Sequence, residues 1–365
     1  MIVSCFVILF LALAAEIVAC LLLFTKSIEN SQKTNGAQTV TLLIPFKNES
    51  DNIQLWINWI KNEKQLPPAI FFVNDHSTDN GEKQVESFIQ QWNEENTATR
   101  IRCIDLPPKI NGKKAAIEFG VTHAETSHIV TMDADVRPAS NYFDSLNKME
   151  FLPLLLLPVE MLSKNKTFAA TIGAIEYNML QAQNYLFSPF SIMTASGANM
   201  LFSRTHFLEV NTAGVGASIH SGDDHYLLRT FQQNKIPVAV SNNKSLKVVT
   251  QSPSTIQSYI RQRTRWLGKL FVKSDWKDWI IGSLLAMVIL SSSLVLIGTA
   301  FLGNSFYFIA SFILILLLYV LPIFVFTKRL TFFDAIGALL MTVFYPFVFA
   351  VIISLALFQP KPKWK

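Results

Sequence analysis

Ser127-His128-Ile129-Val130-Thr131-Met132-Asp133-Ala134-Asp135-Val136-Arg137-Pro138 is the stretch on which the reading of the fold turns. Its apolar, β-branched run from Ile129 to Met132 predicts a buried strand. The run ends in two carboxylates, Asp133 and Asp135, separated by one alanine. Acidic side chains are depleted inside strands, so a pair at a strand's carboxyl end points into a crevice. Two hard oxygen ligands at this spacing suit Mg2+ or Mn2+, which hold a diphosphate and neutralise it as it leaves. The competing reading is a solvated turn after a strand, because Asp-X-Asp arises often by chance.

The stretches before it repeat the pattern. Thr39–Phe46 is a β-branched run leading into Pro45-Phe46-Lys47-Asn48-Glu49, and Ser50 reads as the cap of a helix with Ile53, Ile57 and Ile60 at helical spacing. Ala69–Val73 is a second strand, closing on Asn74-Asp75-His76-Ser77-Thr78-Asp79. A helical pattern (Glu82–Trp92) and a strand (Thr99–Ile104) follow, and Gly112-Lys113-Lys114 opens a helix through Glu118. Strands alternating with helices predict an α/β domain with a mostly parallel sheet, its ligand crevice at the strands' carboxyl ends. Asp75 and the Asp133/Asp135 pair both fall at such ends.

Half of the 365 residues are hydrophobic, concentrated at the two ends. Ile2–Phe24 is long enough to cross a bilayer, which takes roughly 20 apolar residues, and Trp279–Leu302, Ser305–Thr327 and Phe332–Phe358 are three further candidates. The expected division is a membrane helix over 1–26, a catalytic-type α/β domain over 27–250 and an amphipathic interfacial helix over 251–278. Three membrane helices over 279–358 and a basic tail over 359–365 complete it. A cleaved signal is disfavoured because no Lys or Arg precedes the first apolar run, which continues past Cys20. Glu16, costly in lipid, is expected to face a protein partner or water. Three cysteines exclude a disulfide framework or a Cys-rich metal site and fit a cytoplasmic domain. The net charge of +5 is modest, with no basic-aromatic array that argues for nucleic acid. Lysines near the helix ends fit anionic lipid headgroups instead.

Beyond residue 150 the pattern is less regular. Phe151–Leu162 is apolar but too short to span and is broken by Pro153 and Pro158; buried core is favoured over a segment resting on a membrane surface. Phe187-Ser188-Pro189-Phe190 poses the same choice. In Ser196-Gly197-Ala198-Asn199 the glycine would let backbone approach a ligand closely. Gly214-Val215-Gly216 reads as a loop, and Ser221-Gly222-Asp223-Asp224-His225 opens a helix through Arg229 and Phe231. Its acidic residues either favour the helix dipole or present a carboxylate to the crevice. Ser252–Phe271 reads as an amphipathic helix capped by Ser254, with an apolar stripe of Ile256, Ile260, Leu267 and Phe271. Gln262, Arg265 and Trp266, related by i+3 and i+4, can meet one ligand; Arg261 and Arg263 add charge suited to anionic lipid.

Taken in order, Pro45–Glu49, Val73–Asp79, Gly112–Lys114, Asp133–Asp135, Gly222-Asp223-Asp224 and Gln262-Arg263-Thr264-Arg265-Trp266 resemble the membrane-bound, inverting members of glycosyltransferase family two. That group includes ceramide glucosyltransferase and the hyaluronan, cellulose and chitin synthases. The resemblance covers about Thr39 to Gly268 and implies the GT-A nucleotide-diphospho-sugar transferase fold. It implies Asp75 near the base and ribose of the donor, Asp133 and Asp135 serving nucleotide and metal, and Lys113 or Lys114 on the donor. Asp224 would be the catalytic base, with Gln262, Arg265 and Trp266 holding diphosphate and acceptor. Asn74 stands where the family often has an Asp, and Asp223 where Glu is common.

The chemistry this implies agrees with the residue types. An acceptor hydroxyl needs a carboxylate to take its proton, a leaving nucleoside diphosphate needs its charge neutralised, and an indole face packs against a sugar or acceptor. The expected partners are a nucleotide sugar, a UDP-sugar foremost, a lipid or glycan acceptor, and the membrane, with the domain on the cytoplasmic side of a bacterial inner membrane. A processive polysaccharide synthase and a non-catalytic nucleotide-sugar-binding scaffold are the alternatives. Four spans are few for a secretion channel, and every acidic position is filled. The expected topology puts the N-terminus and the Gly303-Asn304-Ser305 tip outside, Lys328-Arg329 inside, and the tail with Lys361, Lys363 and Lys365 outside.

Overall fold

The computed structural model describes residues 2–29, 39–95, 98–165, 167–210, 223–270, 276–327 and 332–358. They form two compact units: an α/β unit of residues 39–160 and 194–250, and a helical unit of residues 2–29, 161–193 and 251–358. The chain opens in the helical unit with α1 (Ile2–Glu29).

In the α/β unit, β1 (Val40–Phe46), α2 (Ser50–Asn62), β2 (Ala69–Asn74), α3 (Gly81–Glu95), β3 (Arg100–Asp105), α4 (Lys113–His123) and β4 (His128–Met132) alternate, as the sequence predicts. Later come β5 (Arg137–Pro138), α5 (Tyr142–Leu146), β6 (Leu154–Leu156) and β7 (Val159–Leu162). After α6 (Phe168–Leu186) of the helical unit follow β8 (Asn199–Ser203), α7 (Arg204–Val210), α8 (Asp223–Gln233), β9 (Val238–Val240) and β10 (Val248–Gln251). Seven strands form one sheet in the order β3-β2-β1-β4-β8-β6-β9. β1 runs parallel to β2 and β4, and β2 to β3; β8 is antiparallel to β4 and β6. β5 pairs with β10 apart from this sheet.

Every residue of β1 is buried, which is why it reads as an unbroken apolar run rather than an alternation. Ile53, Ile57 and Ile60 of α2 are buried, as their spacing predicts, and Trp56 joins them. The apolar run Phe151–Leu162 supplies β6 and β7, with Pro153 and Pro158 just ahead of the two strands and Leu154 to Met161 buried. Registers fix where the strands end: Phe46 lies opposite Asn74, Leu43 opposite Thr131, and Met132 opposite Asn199. The residues after β1, β2 and β4, and those before β8, therefore line one edge of the sheet.

The helical unit holds α1, α6, α9 (Ile256–Leu270), α10 (Trp276–Phe301), α11 (Ser305–Thr327) and α12 (Phe332–Phe358). Most of α6 is buried, because α1, α9, α11 and α12 all pack on it. Leu9, Ile172, Met179, Ile315 and Tyr345 meet in the common core. Large apolar side chains such as Phe10, Phe306 and Phe347 face outward, 65%, 74% and 60% exposed. Among the described residues, three helical stretches, Ile2–Leu23, Gly282–Phe301 and Ser305–Phe326, are long and apolar enough to cross a membrane; in α12 the apolar stretch is the shorter Leu340–Ala356. Glu16 is buried, hydrogen-bonded to Gln183 of α6, so its partner is this chain itself. Phe190 is 65% exposed, so the Phe187–Phe190 turn is not core. Between α10 and α11, Gly303 takes a φ of 63°, and its amide donates to the Ala300 carbonyl, closing a tight turn.

Three local expectations change. Ser50 is the first residue of α2, not its cap; its amide is capped by Asp79 Oδ2 from the next loop, at 2.8 Å. α9 starts at Ile256, after a reciprocal turn in which the Thr255 hydroxyl accepts from the Ser258 amide at 3.2 Å, so Ser254 is not its cap. On α9 the buried face carries Tyr259, Arg263 and Thr264, with Ile260 and Leu267 beside them, while Ile256 is 58% exposed. Phe271 lies outside the described residues, as do the 214–216 loop, Ser221, Gly222, Lys328-Arg329 and the basic tail.

Candidate active site

The α/β unit gathers acidic and basic groups along the sheet edge where β1, β2 and β4 end. Asp75, directly after β2, is fully buried. Its Oδ2 accepts from the Gly112 amide at 3.1 Å and lies 3.4 Å from Lys47 Nζ, after β1. Its Oδ1 is buried with no hydrogen-bond partner among the described residues. A buried carboxylate oxygen left bare costs energy, so this atom is ready for a ligand's donor. Gly112, the residue before α4, adopts a φ of 102°, which lets its amide turn to Asp75. His76 Nε2 contacts the Ile110 carbonyl at 2.9 Å, tying the same two loops together.

Lys113 and Lys114 open α4, as expected, and then diverge. Lys113 Nζ pairs with Asp133 Oδ1 at 2.6 Å, whereas Lys114 reaches Glu118 one turn on at 3.5 Å. Asp133 is about one-third exposed and Asp135 is exposed. The residue between them is held twice: the Ala134 carbonyl accepts from Trp56 Nε1 at 2.9 Å and from Arg137 Nη1 at 3.1 Å. That fixes the backbone from which both carboxylates project. Burial pulls the Arg137 guanidinium below its usual range, while the carboxylates of Asp135 and Glu49 act the other way.

Asp224, in the first turn of α8, arrives from a different direction. Its Oδ2 accepts from the Gly197 amide at 3.1 Å, just ahead of β8, and its Oδ1 from the His225 amide at 2.8 Å. Asn199 pairs with Met132, so the Gly197 contact brings Asp224 to the sheet edge where Asp133 begins. The backbone approach expected at Gly197 is thus to a carboxylate of the same chain. The side chain of Asp223 lies outside the description.

Asn74 explains its own departure from the family pattern. Its Nδ2 donates to Asp105 Oδ1 at 2.9 Å and to Glu82 Oε2 at 3.1 Å, and its Oδ1 accepts from the Ser77 amide at 3.0 Å. With two carboxylates already present, position 74 needs a donor.

The profile of the family described as glycosyltransferase like family 2 matches residues 42–269. The chain belongs to that family. Its members are named for glycosyl transfer, and the chain is a glycosyltransferase of the GT-A type. A search of curated proteins finds no match. Among solved structures, this transferase is similar to the mannosyltransferase PcManGT from Pyrobaculum calidifontis, in complex with GDP-Man and Mn2+. The identity is 14% and the TM-score 0.55, over 96% of this chain and 97% of that one. It also matches glucosyl-3-phosphoglycerate synthase from Mycobacterium tuberculosis, at 12% identity and a TM-score of 0.39, over 64% and 79% of the two chains.

The transferase carries Gln262, Arg265 and Trp266 in its helical unit, on α9. Arg265 Nε is buried without a hydrogen-bond partner among the described residues. Trp266 packs on Tyr177 of α6, with ring centroids 5.5 Å apart. Arg263 departs from the expectation of a lipid-facing charge: it is 3% exposed and paired with Glu176, because a buried guanidinium needs a carboxylate beside it. Arg261 is exposed. Among the described residues no three His, Cys, Asp or Glu side chains gather as a metal cluster. Sequence reasoning passed over Trp56, Lys47 and the Gly112 amide as site-forming groups. Lys47 and Gly112 lay inside the quoted motifs, but Trp56 carried no signal beyond its apolar helical position.

Proposed function

We propose that this glycosyltransferase moves a sugar from a nucleoside-diphosphate donor, a UDP-sugar foremost, to a membrane lipid or lipid-linked acceptor, with inversion. The observation that carries the reading is the convergence of Asp75, the Lys113–Asp133 pair and Asp224 at one sheet edge of the α/β unit. In this reading Asp75, with its bare buried oxygen, takes the base and ribose of the donor. Of the two lysines that open α4, Lys113, beside Asp133, takes the donor phosphates, while Lys114 is turned to Glu118. Asp224 takes the proton of the attacking hydroxyl, its carboxylate oriented by the Gly197 amide. Direct attack from the opposite face turns an α-linked donor into a β-linked product. On α9, Arg265 stabilises the departing diphosphate, and Gln262 and Trp266 hold diphosphate and acceptor.

Asp133 and Asp135 would hold Mg2+ or Mn2+, and the bound cation would supply charge neutralisation for the diphosphate. The donor set fits such a hard cation: two carboxylates on a pinned backbone, with the remaining ligands left to phosphate oxygens and water. The Mn2+ and GDP-Man of the Pyrobaculum mannosyltransferase favour the same donor and metal classes.

A lipid acceptor is preferred to a growing polysaccharide because the few long apolar helices make a narrow basis for a secretion channel. The ceramide glucosyltransferase branch of the family is then the nearer analogue, with the catalytic unit on the cytoplasmic side of a bacterial inner membrane. Incubating detergent-purified protein with a panel of nucleotide sugars and a total lipid extract tests this. A chromatographic shift of one lipid is expected. A long polymer would favour the processive synthase, and no turnover of any donor would leave only a binding protein.

A further inference from the structure

Within the helical unit, a full charge pair is buried where an apolar contact would hold two helices together as well. Glu176 of α6 and Arg263 of α9 are each 3% exposed, and Arg263 Nε lies 2.5 Å from Glu176 Oε2. The carboxylate is also met by two phenols: Tyr259 donates to Oε2 at 2.8 Å and Tyr345 of α12 to Oε1 at 3.0 Å. Burial, with Glu176 beside it, raises the Tyr259 phenol far above its usual range, so it serves here as a donor. Replacing a buried ion pair by apolar groups of similar volume is often neutral or stabilising. Holding α6 against α9 is therefore not enough to explain the pair.

The remaining contacts of Arg263 supply the reason. Nη2 donates to the Gly173 carbonyl at 2.7 Å, and Nη1 donates to Gln262 Oε1 at 2.5 Å. The guanidinium also lies over the Trp266 ring, 4.4 Å from its centroid, and 4.9 Å from that of Tyr259. Gln262 and Trp266 are four residues apart on one face of α9, and this single buried side chain touches both. An arginine has only donors, so the Gln262 carboxamide must turn its oxygen inward and present its NH2 end. An NH2 end suits phosphate or hydroxyl oxygens.

We propose that Arg263, anchored by Glu176, is a positioning residue for sugar transfer: it sets the amide orientation of Gln262 and the ring plane of Trp266. This rests on the reading in which those two residues hold diphosphate and acceptor.

The test compares wild type with Arg263→Lys, Glu176→Gln and Trp266→Ala in full-length protein, using the UDP- or GDP-sugar that the donor panel selects and the same lipid extract. Lysine keeps the charge but cannot reach Glu176, Gln262 and the Gly173 carbonyl together or lie flat against an indole. Arg263→Lys should elute as folded protein and lose roughly ten- to a hundredfold in maximal rate, with the half-saturating donor concentration within about twofold of wild type. A purely architectural role would lower the melting temperature and leave the maximal rate of the folded fraction unchanged; that result overturns the proposal. If Arg263→Lys does not fold, Glu176→Gln, which preserves shape and an acceptor oxygen, is read by the same criteria. Trp266→Ala separates the two layers. Wild-type turnover in Trp266→Ala removes the reading of the motif and this proposal with it. A slow Trp266→Ala beside a fast, folded Arg263→Lys removes the positioning role alone.

Discussion

Asparagine and aspartate differ by one group, and at position 74 that group decides the charge balance of the donor loop. The Asn74 amide donates to Asp105 and Glu82, and Asn74 is 3% exposed. Asn74→Asp would remove both donations and set a third carboxylate among two, costing about 1–3 kcal/mol. A carboxyl crowded by like charge has its folded-state pKa raised above the unfolded value of about 3.9, so its penalty grows as pH rises through that value and fades in acid. Thermal melts of Asn74→Asp should therefore fall furthest below wild type near neutral pH and converge with it toward pH 4; a gap independent of pH would contradict the charge argument. Asp135 is the complementary case. It is exposed, so Asp135→Asn should melt like wild type while abolishing transfer. Full activity of Asp135→Asn, or of wild type in excess chelator, would remove the metal from this account.

Among the elements, the approach of α6 to α9 depends on Gly173. A Cβ there would lie 2.5 Å from Ser252 Oγ and 3.2 Å from the Tyr259 ring, which its bond to Glu176 holds in place. Alanine favours a helix over glycine by roughly 0.5–1 kcal/mol, but overpacking of this kind costs about 1–3 kcal/mol and outweighs that gain. Gly173→Val, bulkier and β-branched, should lower the melting temperature in detergent by several degrees; an unchanged melt would mean the helices can part without cost. This contact also shows why α6 was not legible. A helix buried on nearly every side has no polar face to set a period, so residues 168–186 carried no amphipathic signal. The run Phe151–Leu162 was recognisable as core but not as two strands, because a short apolar run does not distinguish strand from helix. β1 to β4 were legible because Asn and Asp punctuate their carboxyl ends, and two of those residues, Asp75 and Asp133, are in the candidate site. Arg263 was misplaced for a physical reason. Its sequence neighbours are basic, and nothing local marks Glu176, 87 residues away, as its partner.

For the whole molecule, sidedness is read at the turn between α10 and α11. α10 and α11 are joined by the tight turn at Gly303, and Asn304 beside it is exposed. The apolar stretch of α12, Leu340–Ala356, covers only ~26 Å at about 1.5 Å per residue, short of a bilayer's hydrocarbon core of roughly 30 Å, so α12 does not join the three long apolar helices as the fourth crossing the sequence predicts, and Pro346 lies within that stretch. If the catalytic unit lies inside, as proposed, Asn304→Cys should react with an impermeant thiol reagent on intact cells. Labelling only after lysis would invert the topology. The native Cys103 gives little background: burial, then the carboxylates of Asp105, Glu82 and Glu86, push its thiol up to about 12, so it stays protonated and unreactive at neutral pH.

If the carboxylate held by the Gly197 amide accepts the acceptor's proton, Asp224→Asn removes the group on which transfer depends. The substitution keeps the shape and one hydrogen-bond acceptor but removes the base. Transfer of labelled sugar to the lipid extract should be seen with wild type and fall by two to four orders of magnitude in Asp224→Asn, about the worth of one general base, while the variant still binds the donor. Transfer at the wild-type rate by Asp224→Asn would show that Asp224 is not the base.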